Sequence, residues 1–154
     1  MITNYEYSLI GNMSPRMNET NLRLEAVKSF NLALNRGKLG QLWSKILGKE
    51  NHLHALSSQP ISSDRPTNRI TSIAIRQIKG SLGRSDEFDT NFNPLQERSR
   101  SRWINVASAI RMGIPLPSVE LVQVEDTYYV RDGHHRISVA KSLGQEVIDA
   151  RIVS

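Results

Sequence analysis

Residues 128–144 read YYVRDGHHRISVAKSLG. Five consecutive positions hold an acid, a glycine, two histidines and an arginine: Asp132, Gly133, His134, His135 and Arg136. The aromatic and β-branched run ending at Val130 predicts a strand, and the pattern from Ile137 to Leu143 predicts a helix that begins near His134. Gly133 then permits a tight strand-to-helix turn and a close approach of backbone to a ligand. A helix starting there offers free N–H groups and the positive end of its dipole. Arg136, in the first turn, adds a forked cation, and glycine, amides and arginine together suit a phosphate. Asp132 is placed to orient a metal or an acceptor hydroxyl, and His134 or His135 to act as acid or base near neutral pH. In the plainer alternative Asp132 only caps the helix and the histidines are surface residues, although a cap needs one polar side chain and four are bunched here.

Other chemistries lack their residues. The chain has no cysteine, which removes disulfides, thiolate metal sites and a cysteine nucleophile. Neither GxGxxG nor GxxxxGK[ST] occurs, and the GxSxG nucleophile elbow is absent. His134 and His135 diverge by about 100° on a helix and do not easily chelate one metal. An Asp132/His134 metal pair lacks an obvious third ligand. His52 and His54 read as exposed loop residues.

The segment Pro115–Val153, containing LPSVELVQVEDTYYVRDGHHRISVAKSLGQEVIDARIV, resembles the ParB/sulfiredoxin superfamily. That core runs strand, short turn, strand, a Gly-x-x-Arg helix start, small helix, strand. ParB partition proteins carry Gly-Glu-Arg-Arg at the helix start and sulfiredoxins Gly-Cys-His-Arg. Here the run is Gly133-His134-His135-Arg136. In both families this helix start holds nucleotide phosphates. The resemblance therefore implies a nucleotide ligand (ATP, ADP or CTP, with Mg2+ as a companion ion) bound by Gly133, His134, His135 and Arg136, in a protein of bacterial type. The superfamily loop after the first strand also approaches the nucleotide, which implies Ser81 and Arg84 of Gly80-Ser81-Leu82-Gly83-Arg84 as binding residues. Asp86, Glu87 and Asp89 follow and offer carboxylates to a metal or as a general base; a solvated acidic loop is the alternative.

The departures narrow the function. With His134 in place of the sulfiredoxin cysteine, sulfinic-acid reduction is excluded. His134-His135 replaces the Glu-Arg pair of ParB, and the helix-turn-helix and dimerisation regions of partition proteins have no counterpart, which weighs against DNA clamping. The superfamily also includes free-serine kinases, which use an aspartate and histidines near this motif, and the DGHHR run resembles them more. The reading is a nucleotide- or phosphate-binding domain acting as a phosphotransferase or nucleotide hydrolase, with Asp132, His134 and His135 as catalytic residues and Asp132 as the candidate metal ligand. The alternative is a non-enzymatic, nucleotide-switched regulatory module associated with DNA. A ParB-like nuclease ranks lower for want of a metal-carboxylate constellation.

The elements that must position these residues read as α+β: a small mixed sheet with short helices, ParB/sulfiredoxin-like, preceded by an N-terminal helical arm. In 154 residues one domain with an appended arm is expected. Leu22, Ala26, Phe30 and Ala33 form one helical stripe. Gly37 and Gly40 loosen the chain before Leu39, Leu42, Trp43, Ile46 and Leu47, so a helical pair is expected over residues 19–48, ended by Gly48. The Phe30 and Trp43 faces should pack on the main domain or on another copy, the latter giving a homodimer through these helices. Residues 49–68, rich in serine and with two prolines, read as a linker. The expected division is 1–68 for arm and linker and 69–154 for the nucleotide-binding domain. In the second half, Ile70–Ile78 reads as one β-rich run, 80–95 as a polar loop, Gln96–Met112 as a helix, and Val119–Val124 and Glu146–Val153 as strands.

Net charge is +5, with eight Lys+Arg against five Asp+Glu in residues 1–68 and twelve against ten in residues 69–154. That balance favours anionic partners without marking one face. Arg98, Arg100 and Arg102 alternate on a helix and read as a solvated face. No apolar run approaches the ~18–20 residues of a membrane span. The N-terminus lacks a basic then apolar export pattern, so the cytoplasm is the default compartment and no membrane partner is expected.

Overall fold

The structure, a computed structural model, describes residues 15–56 and 69–153, with side chains from residue 18. Residues 1–14, read as lacking an export signal, and residues 57–68, the centre of the expected linker, lie outside the described residues. The elements in chain order are α1 (Pro15–Leu47), β1 (His54–Ala55), β2 (Ile70–Ala74), β3 (Ile78–Ser81), α2 (Arg100–Arg111), β4 (Val119–Val124), β5 (Thr127–Asp132), α3 (His134–Ser142) and β6 (Val147–Ile152). The fold is α+β, with one mixed six-stranded sheet in the order β1-β3-β5-β4-β6-β2. β4 and β5 form an antiparallel hairpin, β3 lies parallel to β5, β6 parallel to β4, and β2 antiparallel to β6. β1, inside the stretch read as linker, pairs parallel with β3.

The Ile70–Ile78 run is two strands, not one. A 3₁₀ turn over Ile75–Gln77 separates β2 from β3. Four residue steps from Ala74 to Ile78 span at most about 14 Å. β2 and β3 stand four strand spacings apart, about 19 Å in a flat sheet. The sheet must therefore curl, bringing its ends toward each other. Ile75, buried at the bend, donates its N–H to the carbonyl of Glu146 at 2.9 Å, which ties the bend to the start of β6.

The expected helical pair is one continuous helix, α1. The glycines do not loosen it; they let it approach the body. A β-carbon on Gly37 would lie 2.6 Å from the carbonyl oxygen of Pro94, and one on Gly40 would lie 2.8 Å from Nδ2 of Asn51. The "polar" loop after β3 also buries Phe88, Phe92, Pro94 and Leu95. Gly48, Gly113 and Gly144 follow their helices with positive φ, as expected of C-terminal stops.

Two apolar clusters meet at α3. The sheet cluster includes Leu53, Ile73, Phe88, Val119, Leu121, Val130 and Ile137. The helical cluster joins Ala26, Phe30, Ala33 and Leu34 of α1 to Trp103, Ile104 and Ala107 of α2 and to Val139 of α3. Phe30 packs edge-on against Trp103, 5.6 Å between ring centroids. Trp103 Nε1 donates to Ser138 Oγ at 2.8 Å. Thus α3 is fixed by Ile137 on one side and by Ser138 and Val139 on the other. The Phe30 face packs on the body as expected, whereas Trp43 remains exposed.

Gly37→Ala separates propensity from packing. Alanine in a helix interior gains about 1 kcal/mol over glycine. The clash with backbone at Pro94 forces α1 to shift, at about 1–3 kcal/mol. Urea unfolding should show net destabilisation; a stabilised variant would mean that Gly37 has no packing role.

Candidate anion site

β5 enters α3 through Gly133, whose φ of 103° lies in the left-handed region. A β-carbon there would also sit 2.5 Å from Cγ1 of Val119. Glycine is therefore required twice, by conformation and by the strand behind it. Gly133 is itself the N-cap, and no side chain caps α3. Asp132 is thus not the cap. The first helical bond runs from the N–H of Ile137 to the carbonyl of Gly133 at 3.0 Å, which leaves the N–H groups of residues 134–136 outside the helical ladder.

This N-terminus opens on a cavity of about 510 Å³. Its walls include Arg84, Arg102, Val106, Leu116 and Pro117 as well as residues 132–136. Six of the seven expected site residues line it: Arg84, Asp132, Gly133, His134, His135 and Arg136. A smaller cavity of about 320 Å³ adjoins it, sharing Arg84, Arg102 and His135 and adding Glu87, Arg98, Ser99 and Ser101.

Ser81, the seventh, does not line the cavity. It is fully buried, and its Oγ accepts the N–H groups of Gly83 (3.2 Å) and Arg84 (3.0 Å). His134 Nε2 lies 2.6 Å from the same Oγ. With both lone pairs accepting, the hydroxyl proton points to Nε2, so His134 is the acceptor and carries its own proton on Nδ1. Ser81 therefore latches the Arg84 loop to the start of α3.

The histidines share a floor. Phe88 stacks on His134 at 6.1 Å and meets His135 edge-on at 5.3 Å. Burial pushes the His134 pKa down to about 4, helped by the positive charge of Arg84 and by His135, against the pull of Asp132. Burial likewise pushes His135 down to about 4, helped by Arg102 and Arg84. Both rings are neutral at pH 7, so neither holds a proton to donate as an acid there, contrary to the expectation of titration near neutral pH. His135 is 7% exposed, and its Nε2 has no hydrogen-bond partner.

Arg136 is not a free fork. Its Nη1 donates to the carbonyls of Pro117 and Ser118, the latter at 2.9 Å, and Nη2 pairs with Oδ2 of Asp132. These bonds use three of its five N–H groups. Arg136 thus straps the 117–118 segment to α3 and neutralises Asp132. The remaining cations on the cavity wall are Arg84, paired with Glu87 at 3.6 Å, and Arg102. Arg102 belongs to the arginine series read as a solvated face; nothing in its local pattern reveals that the docking of Trp103 carries it beside His135.

The acidic loop does other work. Asp89 is buried, and its Oδ1 accepts the N–H groups of Asn91 and Asn93 at 2.8 Å, a self-tied turn. Asp86 and Glu87 pair with Arg98. Among the described residues no group of three or more His, Asp or Glu is placed to hold a metal ion. Asp132, the single carboxylate on the larger cavity, is held by Arg136. These residues do not fit a protein-held Mg2+, which takes carboxylates and phosphates in octahedral geometry. His52 and His54 lie away from the site; His54 is exposed on β1.

No protein-family model matches the chain, and no curated protein does. Among solved structures, sulfiredoxin from Arabidopsis thaliana is similar at 22% identity and a TM-score of 0.41, over 56% of this chain and 85% of that one. Among the described residues no helix is long and apolar enough to cross a membrane.

The histidine pKa values set a pH dependence. Both groups titrate near 6.5 when unfolded and near 4 when folded. Between those values the unfolded chain binds more protons, so stability is present above pH 6.5 and is lost as pH falls toward 4. The Tm should drop by several degrees from pH 7 to pH 5. His135→Leu should show a smaller drop over that interval, and an equal drop would detach His135 from the acid transition.

Proposed function

We propose that the protein binds a phosphate-bearing ligand at the start of α3, with a nucleotide such as ATP, ADP or CTP as the ligand class. One observation carries this reading: an uncapped helix N-terminus opens on a cavity whose wall includes Arg84, Arg102 and His135. Free amides and the helix dipole favour an anion, and Arg102 adds positive charge beside Arg84, which shares its own with Glu87, while Asp132 is paired with Arg136. The adjoining cavity brings Arg98 and Arg102 next to this site, with Glu87 pairing Arg98 and Arg84.

Phosphoryl transfer in this cavity would rest on His135. It is neutral at pH 7 and its buried Nε2 has no hydrogen-bond partner, so a ligand has to open a path to it, whereas His134 is engaged by Ser81 and Asp132 by Arg136. A bound phosphate beside His135 would offset the charges of Arg84 and Arg102 and raise its pKa, which improves it as a base. The second reading, a nucleotide-switched module on DNA, draws on the exposed Arg98 and Arg102 and on the +5 net charge. A nuclease is not advanced, because the described residues assemble no metal site.

Calorimetry with ATP, ADP, CTP and inorganic phosphate, with and without Mg2+, tests the ligand. Arg84→Ala and Arg102→Ala should each weaken binding by about 1.5–3 kcal/mol, roughly tenfold to a hundredfold. Unchanged affinity in both would sink the site. Asp132→Asn should leave stability within about 1 kcal/mol of wild type, since an exposed i,i+4 pair contributes little and Asp132 caps nothing. Retained affinity with turnover down a hundredfold or more in His135→Gln would make the protein an enzyme. Binding without turnover in the wild type, with salt-sensitive DNA retention, would make it the switch.

A further inference from the structure

The face of α1 opposite the body is a second unassigned feature, independent of the anion cavity. α1 buries Ala26, Phe30, Ala33, Leu34 and Gly37 against α2 and the 93–95 loop. On its far side Leu32, Asn35, Leu39, Leu42 and Ile46 follow one another at spacings of three, four, three and four. That is the a/d seam of two heptads, with Leu32, Leu39 and Ile46 at a and Asn35 and Leu42 at d. The buried residues fall at b, c and f, so the seam points directly away from the fold. Its four apolar side chains and the adjacent Trp43 are between 56% and 66% exposed. A stripe of this size with this spacing fits another α-helix laid along it.

We propose that this seam packs in parallel against the same seam of a second copy of the chain. Charge selects both partner and direction. The g positions hold Asn31, Lys38 and Lys45, and the e positions hold Arg36 and Trp43. An antiparallel pair sets g against g and brings Lys38 toward the partner's Lys45, which is repulsive. A parallel pair sets g against e. Lys38 then meets the partner's Trp43, an ammonium against an indole, and Lys45 points toward the partner's Glu50 just past the helix end. Lys38 already lies 4.0 Å from Glu97, both exposed, a contact weak enough to yield. Asn35 meets its own counterpart at d, a polar layer that favours one register. Two heptads are too short to fold alone. α1 needs no such help, because Phe30 and Trp103 hold it helical in each copy. Covering the stripe on both copies removes on the order of 1,200 Å² from water, the lower end for specific interfaces, so a reversible dimer is expected.

The chain has no cysteine, which gives a clean test on the full-length protein. Asn35→Cys should form a disulfide-linked dimer under mild oxidation, because d faces d only in a parallel pair. Arg23→Cys, at an f position off the seam, should not. Sedimentation velocity should show wild type passing from monomer to dimer between about 1 and 200 µM, a range set by micromolar affinity. Leu42→Glu should stay monomeric throughout and melt like wild type at low concentration, since Leu42 is exposed in the monomer. A wild type that stays monomeric overturns the proposal, whether the chain's own residues 1–14 or a different protein covers the stripe. A dimer in which Asn35→Cys fails to cross-link overturns the parallel register.

Discussion

A β-carbon at position 133 would meet Val119 of β4 at 2.5 Å, and the same residue holds a φ that L side chains resist. These two constraints have one effect: β5 turns into α3 with no room for a side chain and no side-chain cap. The rest of the site follows from where that forces α3 to begin. Its axis is fixed by Ile137 in the sheet cluster and by the Trp103–Ser138 bond and Val139 in the helical cluster. With the start and the axis both set, the amides of residues 134–136 face the cavity rather than a neighbouring side chain. A larger residue at 133 would have to push β4 away or unwind the first turn, and either change alters the cavity at the start of α3.

The two histidines show how burial changes the meaning of a residue type. In sequence, adjacent histidines suggest groups that titrate near neutrality. Packed on Phe88 and flanked by Arg84 and Arg102, both stay neutral down to about pH 4. Their roles then diverge through a single hydrogen bond. His134 accepts from Ser81 and becomes part of the scaffold that carries Arg84. His135 lines both cavities, and its Nε2 is buried without such a partner. Burial depresses both values most, and Arg84 at both rings and Arg102 at His135 add to it; on the proposed reading the same arginines would attract an anion, which links proton affinity to anion affinity.

How much of this is legible in the sequence depends on the range of the interaction concerned. The strand–Gly133–helix unit is legible because its determinants are contiguous. So are the hairpin of β4 and β5 and the helix stops, each set by a few neighbouring residues. Gly37 and Gly40 mislead, because they allow close approaches beyond the helix, to Pro94 in a loop far along the chain and to Asn51 past the helix end. Ile70–Ile78 misleads because a continuous apolar run does not reveal the bend that divides it between opposite ends of the sheet. Phe88 is hidden in a loop whose composition is polar, yet it floors both histidines. Arg102 carries no local mark at all; its position is a consequence of Trp103 docking under Phe30. Each miss concerns a contact between distant segments, which hydrophobic periodicity does not encode.

The pairing of Arg136 with Asp132 removes what would otherwise count against an anion site, a carboxylate at its mouth. The two ends of that contact are unequal. The Arg136 side chain is 16% exposed and is also held by two backbone carbonyls of the 117–118 segment, whereas the Asp132 side chain is 68% exposed. Arg136 therefore keeps its place whatever Asp132 does, because the carbonyls cannot leave without moving the strap. Asp132 can turn to solvent at little cost, since an exposed partner in such a pair recovers most of its interaction from water. In the proposed complex a phosphate oxygen would compete with Asp132 for the Nη2 hydrogens of Arg136, while the strap and α3 stay fixed. The exchange trades one carboxylate–guanidinium bond for a phosphate–guanidinium bond of the same kind. Its driving force then comes from the helix amides, Arg84 and Arg102, which Asp132 does not reach. On the proposed reading the aspartate would serve as a placeholder that keeps the arginine paired until a better anion binds.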